Sequence, residues 1–303
     1  MSSVMSYVED VPAESQTSVT IPDPDASAFV DLNFEERMEQ SGAGQRLSGL
    51  AGSVIYPAIG MFGLLVVWWL GSRWIASNPD LVAFSDFAPS PTLKALRRMW
   101  ESGAVWEPIM PSLQRIGKGM FWAALFGVPV GIATGRFKAL RQTTNMPMQF
   151  LRMISPLAWM PVAVMVFDTW EGSIIFLITA AAIWPIVFAT SNGLSKVDPD
   201  WFKVARNLGA KPIHVLWYVI LPATAQDILM GLRLALGISW VVLVPAEMLG
   251  VTSGLGYSIN DARDCPEYDR LAATVLVIGV IGFALDSVMR FAVQKVNWVE
   301  ARN

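Results

Sequence analysis

Among the ionisable residues inside largely apolar stretches of the chain, Arg152, Arg233 and Glu247 are the ones to explain. A charge at the centre of a bilayer costs about 2.5–3.5 kcal/mol on insertion scales, so each needs a partner or a polar path. Arg233 either lines a path for an anion or pairs with a carboxylate from a neighbouring helix. Arg152 has the same two options, and it also lies beside a proline-broken segment whose freed backbone carbonyls accept hydrogen bonds. Glu247 would repel an anion when ionised, so a structural hydrogen bond or ion pair fits it better than contact with a solute. Ser155 and Trp159 offer a hydroxyl and an indole N–H, neutral donors that hold an oxyanion without trapping it; simple packing is the other role open to Trp159.

Other chemistries lack material. One histidine, His214, and one cysteine, Cys265, supply neither a metal cluster nor a nucleophile with its base, and no catalytic residue is expected. A nucleotide-binding loop needs two glycines at fixed spacing followed by Lys and Ser or Thr. Gly117-Lys118-Gly119 lacks both the upstream glycine and the hydroxyl. Nothing in the chain suggests a nucleic-acid partner or a resident cofactor.

The elements that must hold these residues are membrane helices. Of 303 residues 53% are hydrophobic and only 16% charged, outside the balance of a soluble domain. A bilayer core needs roughly 20 apolar residues per helix, and six runs answer: about 53–75, 113–135, 143–167, 173–192, 227–251 and 271–291. The third is interrupted by Pro147, Pro156 and Pro161, which lipid tolerates only where protein or a water-filled cavity covers the break. In the second run Gly127, Gly131 and Gly135 fall four apart, a stripe that lets another helix approach closely. Leu93, Leu96, Met99 and Trp100 recur at helical spacing beside Lys94, Arg97 and Arg98, the pattern of a short interfacial helix. The expected class is all-α and polytopic, one domain over residues 51–303.

Residues 1–50 differ. They carry nine acids against Arg37 and Arg46, with Pro12, Pro22 and Pro24; such a segment buries too little apolar surface to fold alone, and a disordered acidic cytoplasmic arm is expected. It lacks the basic start and apolar core of a signal peptide, so the first membrane helix is expected to direct insertion. Six spans put both termini on one side. Lys and Arg number 12 on that side and 8 on the other, which by the positive-inside rule makes it the cytoplasm.

Between the fourth and fifth runs, about residues 196–222 are too polar for lipid and too patterned for an idle loop. Residues 200–208 predict a short helix capped by Asp198 or Asp200, with Phe202, Ala205 and Leu208 on one face and Gly209 as its stop. A second stretch, 213–221, leads to Pro222 and back into the membrane.

This segment resembles the cytoplasmic signature of permease subunits of bacterial ATP-binding-cassette importers, an Ala-rich helix, a Gly, and a spacer ending in an Ile/Leu-Leu-Pro turn. Leu208-Gly209-Ala210 and Val219-Ile220-Leu221-Pro222 sit at that spacing. Where the family opens with Glu and two alanines, this chain has Lys203, Val204 and Ala205. Over about residues 89–295, four further strings resemble the nitrate, sulfonate, taurine and bicarbonate branch: Pro89-Ser90-Pro91; Ser155 through Pro161; Gly231-Leu232-Arg233; and Ala246 through Gly250, followed by Ser253-Gly254-Leu255-Gly256-Tyr257. The last string is closer to sulfonate-type members and Ser155-Pro156-Leu157 to nitrate-type ones.

The resemblance implies a type I importer permease fold in a bacterial cytoplasmic membrane, two permease copies about a central path, and an extracytoplasmic binding protein that delivers a small anion. It also implies separate ATPase subunits that hold ATP and magnesium. Trp201, Phe202, Lys203, Ala205, Arg206, Leu208, Gly209 and Ala210 would then form the helix that those subunits grip. Two rivals are an ion-coupled secondary transporter, which would show paired inverted repeats with matched broken helices, and a membrane scaffold, which would need no ATPase.

Overall fold

The computed structural model describes the backbone of residues 32–300 and the side chains of 55–81 and 84–296. The chain divides into two units, Met1–Val66 and Val67–Asn303. In the first, the described backbone is helical from Leu32, the start of α1 (Leu32–Ser77). The expected unfolded arm is therefore helical over 32–50, a stretch without proline in which Glu, Met, Gln, Arg and Leu favour the helix. Residues 1–31 of that arm lie outside the described residues.

The second unit is helical throughout its described length. A 3₁₀ segment, Pro79–Phe87, leads into α2 (Pro89–Glu101) and α3 (Trp106–Arg136). Next come α4 (Lys138–Met153), a 3₁₀ turn at Pro156–Trp159, α5 (Met160–Val166) and α6 (Trp170–Lys196). The short α7 (Pro199–Asn207) and α8 (Pro212–Val215) precede a π turn at Leu216–Ile220, which runs straight into α9 (Leu221–Gly250). Finally α10 (Leu255–Asp264) and α11 (Tyr268–Glu300) close the chain.

Five of these helices are long and apolar enough to cross a membrane, or six if the bent pair α4 and α5 counts as one span. The third expected span is thus no straight rod. Its arms meet at 86°, because Ser155 takes the extended backbone that a following proline imposes (φ −58°, ψ 128°) and Pro161 lies in the first turn of α5, where its missing N–H costs nothing. The fifth span starts earlier than expected. The lead-in after Pro212 stays helical through the π turn and joins α9 in a run of 39 residues.

Helix α6 is the axis of the unit, packed between α3 and α9. It is apolar all round, and Ile174, Leu177, Ile178 and Ile186 are fully buried, the pattern of a span surrounded by protein. The glycine stripe of α3 lies against it. A Cβ on Gly131 would stand 2.6 Å from Thr190 Cβ and 2.9 Å from the Val187 carbonyl, and one on Gly135 would stand 2.9 Å from Leu194 Cβ. So close an approach allows the Thr179 hydroxyl to donate across to the Gly119 carbonyl at 3.2 Å.

Candidate functional site

The polar segment between α6 and α9 folds as its sequence predicts. Asp198 caps α7, its carboxylate accepting from the Asp200 N–H at 2.8 Å. At the other end Gly209 (φ +73°) takes the left-handed conformation. The Gly209 N–H donates to the Arg206 carbonyl and the Ala210 N–H to the Ala205 carbonyl, both at 3.0 Å, the paired bonds of a Schellman stop.

The helix has two faces. Phe202 and Ala205 are half-buried, and the Arg136 guanidinium at the end of α3 lies 4.9 Å from the centroid of the Phe202 ring. Trp201, Val204 and Leu208 point away from the protein, 54%, 57% and 81% exposed. Leu208 thus leaves the face expected for it, because two steps of three residues drift about 120° round a helix of 3.6 residues per turn and carry it from Phe202 to the side of Trp201 and Val204. Lys203 pairs with Asp200 at 2.7 Å and, like Arg206 and Gly209, is exposed; Ala210 is half-buried. Val204, absent from the expected set, completes the apolar stripe at 201, 204 and 208, a spacing of three and four that the sequence contains.

The broken span forms a groove with α6 and α9. Its cavity of about 640 Å³ is lined by Arg152, Trp159, Trp184, Phe188 and Asn192 among others. Arg152 is exposed, with its guanidinium 5.3 Å from the centre of the Phe188 ring. Trp159, which lines the cavity, is half-buried and also packs against the core. Ser155 is exposed at the bend but does not line the cavity. Trp184, Phe188 and Asn192 escaped the sequence reading; their common face, at spacings of four on α6, becomes a wall only once the bend exposes it.

Arg233 and Glu247 lie elsewhere. Arg233 forms a two-pronged pair with Asp286 of α11, Nε to Oδ1 at 2.8 Å and an η nitrogen to Oδ2 at 3.0 Å, and Arg290 also donates to Asp286 at 2.9 Å. Of the two options for Arg233, the structure shows pairing with a neighbouring helix. Glu247 is wholly buried at the far end of α9. Arg115 of α3 donates to it at 2.7 Å, the Ser112 hydroxyl reaches its carboxylate at 2.8 Å, and the Gly256 N–H donates at 2.9 Å. Arg115 also holds the Ser253 carbonyl and hydroxyl at 2.8 and 2.9 Å. Arg115, at the start of the second apolar run, is the buried counter-ion of Glu247. Gly254 (φ +112°) and Gly256 leave room for that carboxylate, since a Cβ on Gly254 would stand 2.5 Å from its atoms.

A multi-span helical unit with a presented polar-segment helix and a groove at a broken span defines a membrane transport subunit. Comparisons with known proteins agree. Residues 127–298 match the family model described as binding-protein-dependent transport system inner membrane component. The bicarbonate transport system permease protein CmpB of Synechococcus elongatus is 34% identical over 84% of this chain and 91% of its own length. The taurine transport system permease protein TauC of Escherichia coli is 34% identical over 75% of this chain and 83% of its own. The nitrate import permease protein NrtB of Leptolyngbya laminosa is 29% identical over 88% and 97%.

Among solved structures, an inward-facing MetNI methionine ABC transporter chain superposes with a TM-score of 0.52 at 16% identity, covering 68% of this chain and 98% of that one. The fold is that of a type I ABC importer permease. The chain belongs to the family of binding-protein-dependent transport system inner membrane components. It is a permease subunit of an ABC importer, not an enzyme, and the ATPase activity of such transporters lies in a separate subunit.

Proposed function

We propose that this permease carries a small anion across the bacterial cytoplasmic membrane along the groove at the bend between α4 and α5. The observation that carries the reading is the placement of Arg152 beside Trp159, Trp184, Phe188 and Asn192. One guanidinium in a mostly apolar wall attracts an anion, and the scarcity of further donors keeps binding weak enough for passage. Nitrate, bicarbonate, taurine and alkanesulfonates are the candidate cargoes, the first three by the names of the relatives.

A second copy completes the path as a homodimer. The groove lies open on the single chain, beside the exposed side chains of Met146, Phe150 and Met153 on α4. ATPase subunits, which hold the ATP and magnesium, grip the stripe of Trp201, Val204 and Leu208, while an extracytoplasmic binding protein delivers the anion at the opposite end. Both termini then lie in the cytoplasm, with the acidic arm of residues 1–50, and the remaining residues 51–303 form the transport domain.

Coupling follows from stiffness. The capped α7 is clamped to α3 through Arg136 and Phe202, and Lys196 at the end of α6 pairs with Asp227 of α9 at 2.8 Å, so movement of the gripped helix is passed to three spans at once. Arg233, paired with Asp286, serves chiefly to join α9 to α11, and Glu247 to fix the far end of α9.

The test is uptake by the reconstituted complex, with labelled anion competed in turn by nitrate, taurine, an alkanesulfonate and bicarbonate. Arg152→Gln is expected to lower uptake at least tenfold without loss of ATPase association. Unchanged uptake by that variant would remove the groove from the path.

A further inference from the structure

At the end of α3 remote from α7 lies a second cavity, about 810 Å³, between α2, the start of α3 and α11. Helix α3 has 31 residues, or about 46 Å, so the two ends belong to opposite membrane surfaces. Val105, Ile109 and Val277 are its buried floor, and the rings of Trp100 and Trp106, 5.7 Å apart, stand at its edge. Tryptophan pairs of this kind sit at the headgroup level of a bilayer.

The mouth of this groove is charged. Arg97 and Glu101 border it and also border an adjoining pocket of about 520 Å³ that adds Lys94, Arg98 and Asp269. Glu101 answers Arg97 at 2.7 Å and Asp269 answers Arg98. Among the described residues no carboxylate pairs with Lys94. An apolar slot that opens onto one surplus positive charge, framed by tryptophans, is complementary in shape and charge to an amphiphile with a monoanionic head.

We propose that this groove binds an anionic phospholipid such as phosphatidylglycerol, one acyl chain between α2 and α11 and the phosphodiester at Lys94 and Arg97. Lys and Arg side chains near a membrane surface attract anionic headgroups. The rival occupant within this chain, the first span, carries no charge from Ser53 to Ser72 and leaves Lys94 unanswered. A second copy docked by the same face would bring two Lys94 side chains together.

The test uses the full chain in its assembled transporter, delipidated and titrated with brominated phosphatidylglycerol or brominated phosphatidylcholine. The readout is the tryptophan quenching that disappears in Trp100→Phe/Trp106→Phe. Brominated phosphatidylglycerol is expected to half-quench this component at roughly a fifth of the mole fraction that phosphatidylcholine needs. Lys94→Gln/Arg97→Gln, both exposed positions, should abolish the preference, and Val280→Trp, which fills the groove, should abolish quenching by either lipid. Equal quenching by the two lipids, or a preference that survives loss of both cations, overturns the assignment. Absence of quenching in the unaltered protein also overturns it, because the groove is then closed by protein.

Discussion

Arg115 and Glu247 form an ion pair at 2.7 Å between α3 and α9, with both side chains almost entirely out of solvent, 4% and 0% exposed. Ser112 and the Gly256 N–H donate to the carboxylate, and Ser253 accepts from Arg115. This pair explains why Glu247-Met248-Leu249-Gly250 is followed by Ser253-Gly254-Leu255-Gly256. The second string folds back over the carboxylate of the first, and only glycine fits where the backbone crosses it.

Removing one member leaves the other charged and buried. Glu247→Ala is expected to cost about 3–5 kcal/mol, read as a lower melting temperature and a lower yield of detergent-purified protein. Glu247→Gln keeps the acceptor oxygen and one bond to Ser112, and should lose less than the alanine variant. Equal stability of all three proteins would show that the pair does not secure α9.

Gly131→Ala should destabilise by about 1–3 kcal/mol, the range for overpacking a tight interior, since its methyl would meet Thr190 Cβ at 2.6 Å. Combined with Thr190→Gly, which deletes that carbon, it should recover part of the loss. Thermal unfolding of the two single variants and the double one gives the coupling directly.

Leu208→Asp and Gly209→Val separate coupling from folding. Leu208 is 81% exposed, so its replacement should shift stability by no more than about 0.5 kcal/mol while weakening copurification of the ATPase subunit. Gly209→Val forces a β-branched residue to φ +73° and should unwind the Schellman stop, lowering uptake as well. Normal ATPase capture and normal uptake by both variants would discard α7 as the gripped element.

Arg233→Gln tests a partly exposed pair. Arg290 also holds Asp286, at 2.9 Å, and exposed pairs contribute little, so the stability loss should stay well below that of Glu247→Ala. An uptake loss of more than tenfold in a variant of near-normal melting temperature would move Arg233 into the path.

Much of this was legible in residue order. The apolar runs and the stop at Gly209 are local features, and the sequence states them directly: runs of about 20 apolar residues, one αL glycine, prolines that bar a straight helix. The four-residue glycine spacing on α3 announced a close neighbour, though not that the neighbour was α6. What the sequence hid is relational. Arg115 reads as an interfacial charge until α3 brings it beside Glu247, 132 positions later. Likewise Trp184, Phe188 and Asn192 read as one more face of an apolar helix until an 86° bend uncovers them. Phe202, Ala205 and Leu208 recur every three residues, yet at 3.6 residues per turn that spacing drifts about 120° from Phe202 to Leu208 and parts them.

The interlock of α3, α6 and α9 leaves little room for any of these rods to flex alone, because backbone meets side chain with no intervening methyl groups along the α3 stripe. A tug on α7 therefore displaces a block, and changes of shape during a transport cycle must be taken up where the packing is thin. The joint at Ile154 and Ser155, two residues of extended chain outside the core clusters, is such a place: the door is hung there, and the wall is built elsewhere.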